Sequence, residues 1–146
     1  MFTGHFINSI DNKGRVSLPS NFRQLLNKDG YNSIFITKSF DNCLTAYPPD
    51  EWKKLIEKIS NLPQSKREVK AFQRFVISSA VECQIDKQGR ILIPQALRAF
   101  ANIEKEVLFA GIGNQIEIWS KAKWDEEEEK WQEMLQNSEA LSELGV

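Results

Sequence analysis

A ten-residue pattern occurs twice in this chain of 146 residues. Ile10-Asp11-Asn12-Lys13-Gly14-Arg15-Val16-Ser17-Leu18-Pro19 is echoed by Ile85-Asp86-Lys87-Gln88-Gly89-Arg90-Ile91-Leu92-Ile93-Pro94, 75 positions on, and Arg23 and Arg98 extend the match. Further along, the offset shortens by three, and Leu44, Tyr47 and Trp52 align with Ile116, Trp119 and Trp124 at a shift of 72. Self-similarity at a fixed spacing means that one supersecondary unit is used twice. Two copies in a chain of this length predict a single body with pseudo-two-fold symmetry.

Each unit changes its hydrophobic period in the same order. Val81, Cys83 and Ile85 alternate with polar neighbours, as Ile91 and Ile93 do with Arg90 and Leu92, and this predicts two strands around a turn. Phe6, Ile10, Val16 and Leu18 repeat the pattern less regularly. A short helix is expected after Pro19 and after Pro94, because proline suits a helix start and Phe22, Leu25, Leu26 and then Leu97, Phe100 give one apolar side. Two more strands close each unit, at about 33–37 with 43–47 and 106–110 with 115–119, the second pair turning at Gly111-Ile112-Gly113-Asn114. Between the units, Asp50 is placed to cap a helix carrying Trp52, Leu55, Ile56 and Ile59. After the break at Asn61-Leu62-Pro63, Ser65 and Glu68 form a capping box ahead of Val69, Phe72 and Val76. The tail reads as a helix capped by Ser120, with Trp124, Trp131 and Leu135 on one side and Glu126 to Glu129 mostly on the other.

Composition narrows the chemistry. With one histidine, His5, and two distant cysteines, Cys43 and Cys83, there is no zinc-site spacing and no imidazole-based nucleophile system, so neither a metal nor a cofactor is expected and an enzyme is disfavoured. The cysteines are expected as buried thiols. No run is apolar for long enough to cross a membrane and no secretory pattern opens the chain, which points to the cytoplasm. The net charge of −1 hides a division along the chain: residues 1–80 carry +5, residues 81–120 carry −1 and residues 121–146 carry −5. Basic loops in the first half could converge on one face and meet an anionic partner despite an overall pI near 5.9.

The repeated Asp-x-x-Gly-Arg turn is the candidate site. Gly14 and Gly89 would take the left-handed position that closes a three-residue loop, and Asp11 and Asp86 would orient Arg15 and Arg90 through charge-assisted hydrogen bonds. Lys13 stands free at the first tip; the second carries Lys87 and Gln88 instead of Asn12 and Lys13. A fixed guanidinium beside a mobile ammonium supplies the donors used for reading base edges and for holding phosphates. The alternative is a tight turn held by an ordinary surface ion pair.

On these residues the chain resembles the MraZ family. The resemblance rests on Gly4, Asp11-Asn12-Lys13-Gly14-Arg15 and Leu18-Pro19 in the first copy and on Asp86-Lys87-Gln88-Gly89-Arg90 in the second. It spans essentially the whole chain. It implies an α+β fold with two tandem SpoVT-AbrB repeats interlocked as a swapped-hairpin β-barrel: 1–48 and 78–120 as the repeats, 49–77 as helices between them, and 121–146 as an acidic C-terminal helix. It also implies a nucleoid-associated transcriptional regulator that assembles as a ring-shaped homo-oligomer. Such a regulator would bind short direct repeats in double-stranded DNA upstream of the division and cell-wall gene cluster. The family's acidic and DNA-facing arginine positions fall on Asp11 and Arg15, then Asp86 and Arg90; together with the exposed residues of the two tips, the expected DNA-contacting set is Asn12, Lys13, Arg15, Lys87 and Arg90. The alternative within the same fold is an antitoxin-like protein-interaction module, for which Trp124 and Trp131 should face outward.

Overall fold

A computed structural model describes residues 1–146. The strands are β1 (His5–Ser9), β2 (Arg15–Ser17), β3 (Ser33–Lys38), β4 (Leu44–Tyr47), β5 (Val81–Gln84), β6 (Arg90–Leu92), β7 (Glu106–Gly111) and β8 (Ile116–Ser120). The helices are α1 (Ser20–Lys28), α2 (Pro49–Ser60), α3 (Arg67–Phe72), α4 (Gln95–Phe100), α5 (Lys121–Gln136) and α6 (Glu139–Glu143). A π-helical turn at Gln73–Ile77 continues α3, and its Val76 carbonyl accepts a hydrogen bond from the buried Thr37 hydroxyl of β3. No helix is long and apolar enough to cross a membrane.

The fold is α+β. Six strands form one antiparallel sheet in the order β1-β7-β8-β4-β3-β5, and β2 pairs with β6 as a separate two-stranded ribbon. Exchanging each strand for its counterpart in the other repeat turns this order into its own reverse, so the sheet carries the pseudo-two-fold symmetry of the sequence. The axis passes between Thr45 and Glu117 in the central β4–β8 pair and between Val16 and Ile91 in the ribbon. Each repeat lends its first strand to the other: β1 pairs with β7 from His5↔Ala110 to Ser9↔Glu106, and β5 pairs with β3 from Ser33↔Gln84 to Ile36↔Val81.

Two expectations are corrected by this arrangement. The strands around each Asp-x-x-Gly-Arg turn do not continue as a local hairpin ladder; the first turn is closed by the single bridge Ile10↔Val16. Pro19 stands just beyond β2, so β2 is only three residues long and could not satisfy the five residues of β1, whereas β7 can. Nor is the sheet a closed barrel: β1 and β5 are its two free edges, and the ribbon lies outside it. At one edge Asn8 spans the gap, its side-chain amide donating to the Ser17 carbonyl at 2.7 Å.

The core lies where the apolar sides of these layers meet. Phe22 and Leu26 from α1, Ile34 and Ile36 from β3, Ile91 and Ile93 around β6, and Ile116 and Ile118 from β8 are buried in one cluster. A smaller cluster of Cys43, Leu108, Ala110 and Trp119 is covered by Trp124 and Trp131 of α5. Both cysteines are free and buried, and desolvation pushes the Cys43 thiol up to about 12 and that of Cys83 to about 11. The expected strand pairs β3–β4 and β7–β8 and the helices after both prolines are present. The shortening by three falls in the helices, nine residues in α1 against six in α4. Gly30 (φ +79°) ends the first and Asn102 (φ +56°) takes its place after the second.

Capping follows sequence only in part. Ser120 caps α5, its hydroxyl accepting from the Lys123 amide. Asp50 does not cap α2: the helix begins at Pro49, whose fixed φ and missing N–H suit the first position, so Asp50 falls within the first turn. Ser65 makes no capping box either, because α3 starts at Arg67 and Lys66 occupies the cap position without a side-chain bond. The tail breaks after Gln136, and Ser138 caps a separate α6.

Candidate nucleic-acid interface

The two turns have the same internal geometry. In the first, Asp11 Oδ1 accepts from the amides of Lys13 and Arg15, both at 2.9 Å, while Oδ2 accepts from Arg15 Nε at 2.8 Å. The Gly14 amide returns to the Asp11 carbonyl at 3.0 Å. In the second, Asp86 accepts from the amides of Gln88 (2.8 Å) and Arg90 (2.9 Å) and from Arg90 Nε at 3.1 Å. The backbone amide of Arg15 is the chief cause that holds the Asp11 carboxyl below its ordinary range; that of Arg90 does the same for Asp86. Each carboxylate thus organises the loop and fixes the arginine together. Each arginine uses Nε for this bond. Both arginine side chains are partly exposed.

Glycine is required at both turns. Gly14 and Gly89 have φ of +93° and +78° and are buried. A Cβ on Gly14 would lie 2.6 Å from the Ile93 carbonyl oxygen and 2.7 Å from Arg98 Nε; one on Gly89 would meet the guanidinium of Arg23, with Cζ at 2.6 Å. These contacts cross between repeats. Arg23 in α1 donates its Nε to the Leu18 carbonyl at 3.0 Å and covers the second turn, and Arg98 in α4 donates to the Ile93 carbonyl at 2.9 Å and covers the first. The backbone repeats the exchange: the Leu18 amide donates to the Gly89 carbonyl and the Ile93 amide to the Gly14 carbonyl. Sequence reasoning matched Arg23 with Arg98 but gave them no role. Their repeated position was the available signal, while the crosswise contact depends on strand pairing that local sequence does not encode.

The ribbon places the turns at its opposite ends, because β2 and β6 run antiparallel and each begins at its own turn. Arg15 is opposite Leu92 and Arg90 is opposite Ser17, so the arginines occupy diagonal corners, offset by roughly 7 Å along the strands. Asn12, Lys13 and Lys87 are exposed beside them. Arg15 and Arg90 are therefore brought onto one ribbon with their lysines at its ends. Gln88, which lies where the first copy has Lys13, contributes its backbone amide to Asp86.

Fixed guanidiniums and exposed ammonium groups on a two-stranded ribbon with one strand from each repeat define a class: a tandem-repeat α+β protein presenting two basic turns on one body. The family described as "MraZ protein, putative antitoxin-like" matches residues 1–75 and again 76–143. Among curated relatives, a protein of Caldanaerobacter subterraneus subsp. tengcongensis is 48% identical over 126 residues, 86% of this chain and 85% of its own length. Proteins of Pediococcus pentosaceus and Clostridium tetani are 42% and 44% identical, each over 100% of both chains. All three are named Transcriptional regulator MraZ. The chain belongs to the MraZ family.

Proposed function

We propose that the chain is a transcriptional regulator that binds double-stranded DNA sequence-specifically through its two turns. Arg15 and Arg90 read base edges, Asn12, Lys13 and Lys87 hold the backbone, Asp11 and Asp86 orient the arginines, and Gly14 and Gly89 shape the loops. The observation that carries this function is the duplicated Asp–Arg bond on a single antiparallel ribbon, since a two-stranded ribbon is an element the major groove admits. Its target is short direct repeats upstream of its own gene, in the division and cell-wall cluster on the nucleoid. One protomer offers few cationic contacts, so a ring of identical protomers engaging several repeats gains effective concentration. The cross-repeat strand pairing supports a swapped-hairpin description, with repeats at 1–48 and 78–120, connecting helices at 49–77 and the acidic tail at 121–146.

The antitoxin-like alternative required outward-facing tryptophans. Trp124 and Trp131 pack edge-to-face on Trp119, with ring centroids 5.7 and 5.3 Å away, but both are half-buried and line an open apolar groove with Met134 and Leu135, so the regulator reading rests on the turns and not on the tail. The test is fluorescence anisotropy of wild type and Arg15→Ala with the upstream duplex and a scrambled control, across a salt series. Selective binding with a steep salt slope, lost in a variant that melts like wild type, is the expected result. Equal binding to both duplexes, unaffected by the substitution, refutes the proposal. Light scattering on the intact chain separately tests the ring.

A further inference from the structure

Besides the tips, where Asn12-Lys13 corresponds to Lys87-Gln88, the outer face of the ribbon itself breaks the pseudo-symmetry. Val16 and Ile91 point inward and are buried, which leaves Arg15 and Ser17 on one strand and Arg90 and Leu92 on the other facing outward. The pseudo-two-fold axis exchanges Arg15 with Arg90 and Ser17 with Leu92. The arginines match in chemistry, in carboxylate partner and in geometry; the other two do not. Leu92 is 53% exposed, and it stands directly opposite Arg15 in the ladder. Ser17 stands opposite Arg90.

We propose that Leu92 forms a thymine-methyl subsite beside Arg15, and that Ser17 presents a polar counterpart beside Arg90, so that the ribbon reads DNA in one direction. This rests on the DNA-binding function proposed above. Thymine is the base that carries an apolar group, its C5-methyl, into the major groove, and an apolar side chain recognises it by contact. A symmetric ribbon would present the same face in both orientations and could not tell a site from its reverse. With Leu92 on one side and Ser17 on the other, one orientation places an isobutyl group near the methyl and the reverse places a hydroxyl there. Fixation of Arg15 by Asp11 makes the neighbouring base step the one that Leu92 meets.

The experiment uses the full-length chain and a duplex it selects from a randomised library. Each thymine of that duplex is replaced in turn by deoxyuridine, which removes the C5-methyl and leaves the base-pairing edge intact. For wild type, at least one replacement next to the arginine-contacted step should weaken binding about four-fold, the loss expected for one methyl-sized apolar contact. Leu92→Ser, at a half-exposed position, should melt like wild type, bind the natural duplex more weakly and show no deoxyuridine effect. Ser17→Leu should acquire methyl sensitivity on the opposite side. A flat scan in wild type, or a deoxyuridine effect that persists in Leu92→Ser, overturns the subsite. Selective binding that Arg15→Ala abolishes would in that case leave the regulator function standing. Failure of the library to yield any preferred duplex would overturn both.

Discussion

Alanine in place of each of three glycines should separate two sources of strain that these turns combine. Gly30 has φ +79° with nothing within 4 Å of a built Cβ, so Gly30→Ala meets only the left-handed backbone penalty, about 1–2 kcal/mol. Gly89→Ala meets the same penalty and must also displace the Arg23 side chain, which loses its bond to the Leu18 carbonyl; one hydrogen bond adds about 1 kcal/mol. At Gly14 the nearest atom is a backbone oxygen, that of Ile93, which also accepts from the Gly14-facing Arg98, so repacking adds about 1–3 kcal/mol. The expected order of destabilisation is Gly14→Ala, then Gly89→Ala, then Gly30→Ala. Urea unfolding followed by tryptophan fluorescence reads the midpoints, with the slope checked for constancy. Paired substitutions sharpen the test. Gly89→Ala with Arg23→Ala should be little worse than Gly89→Ala alone, because the obstructing side chain is gone. Gly14→Ala with Arg98→Ala should couple less strongly, because the Arg98 guanidinium is removed but the Ile93 carbonyl stays. Equal costs at Gly14 and Gly30, or strict additivity in both pairs, would refute the crosswise packing of arginine on glycine.

Asp11 and Asp86 are stronger acids in the folded protein than in the unfolded chain. The stabilisation from their ionised forms is therefore present above the unfolded value near pH 4 and lost as pH falls through the lower folded value; carboxyl NMR should show both titrating below ordinary aspartates, and ordinary values would contradict the loop geometry. Cys43 and Cys83 should resist thiol reagents in the native state at pH 8 and react at once in denaturant, whereas rapid native labelling would mean the core is open. Trp119→Ala should cost about 3–5 kcal/mol in chemical unfolding, since the ring is 2% exposed and supports both Trp124 and Trp131; a loss under 1 kcal/mol would mean that α5 is not docked.

Much of the fold is legible because the two repeats check one another. The prolines at 19 and 94 mark helix starts in both, and the β7–β8 turn at Gly111-Ile112-Gly113-Asn114 is written in local residues. Strand partnership is not. Alternation in β1 states which side chains face inward but is silent on whether β2 or β7 provides the hydrogen bonds, and that choice is made by the length β2 has left before Pro19. The internal design of the site was equally readable, since Asp11, Gly14 and Arg15 interact within five residues. Arg23 and Arg98 act across repeats, and their part in the site became visible only once the ribbon and its two helices were in place. Asp50 and Ser65 show the opposite error: good capping residues stood near helix starts, but Pro49 fixed one boundary and α3 began two positions after Ser65.

The pairing of His5 with Ala110 sets an order of events during synthesis. A chain emerging from the ribosome exposes β1 long before β7 has been made, and over that interval the first strand has no ladder partner from its own half. Domains generally fold as units during synthesis, but here the second half must emerge before the first can complete its sheet. Contacts so distant in sequence slow folding, and an unpaired strand edge is a template for the edge of another nascent chain. Neighbouring ribosomes on one message bring such edges close together, so the same exchange that joins two halves within a molecule also offers a route for two molecules to become entangled.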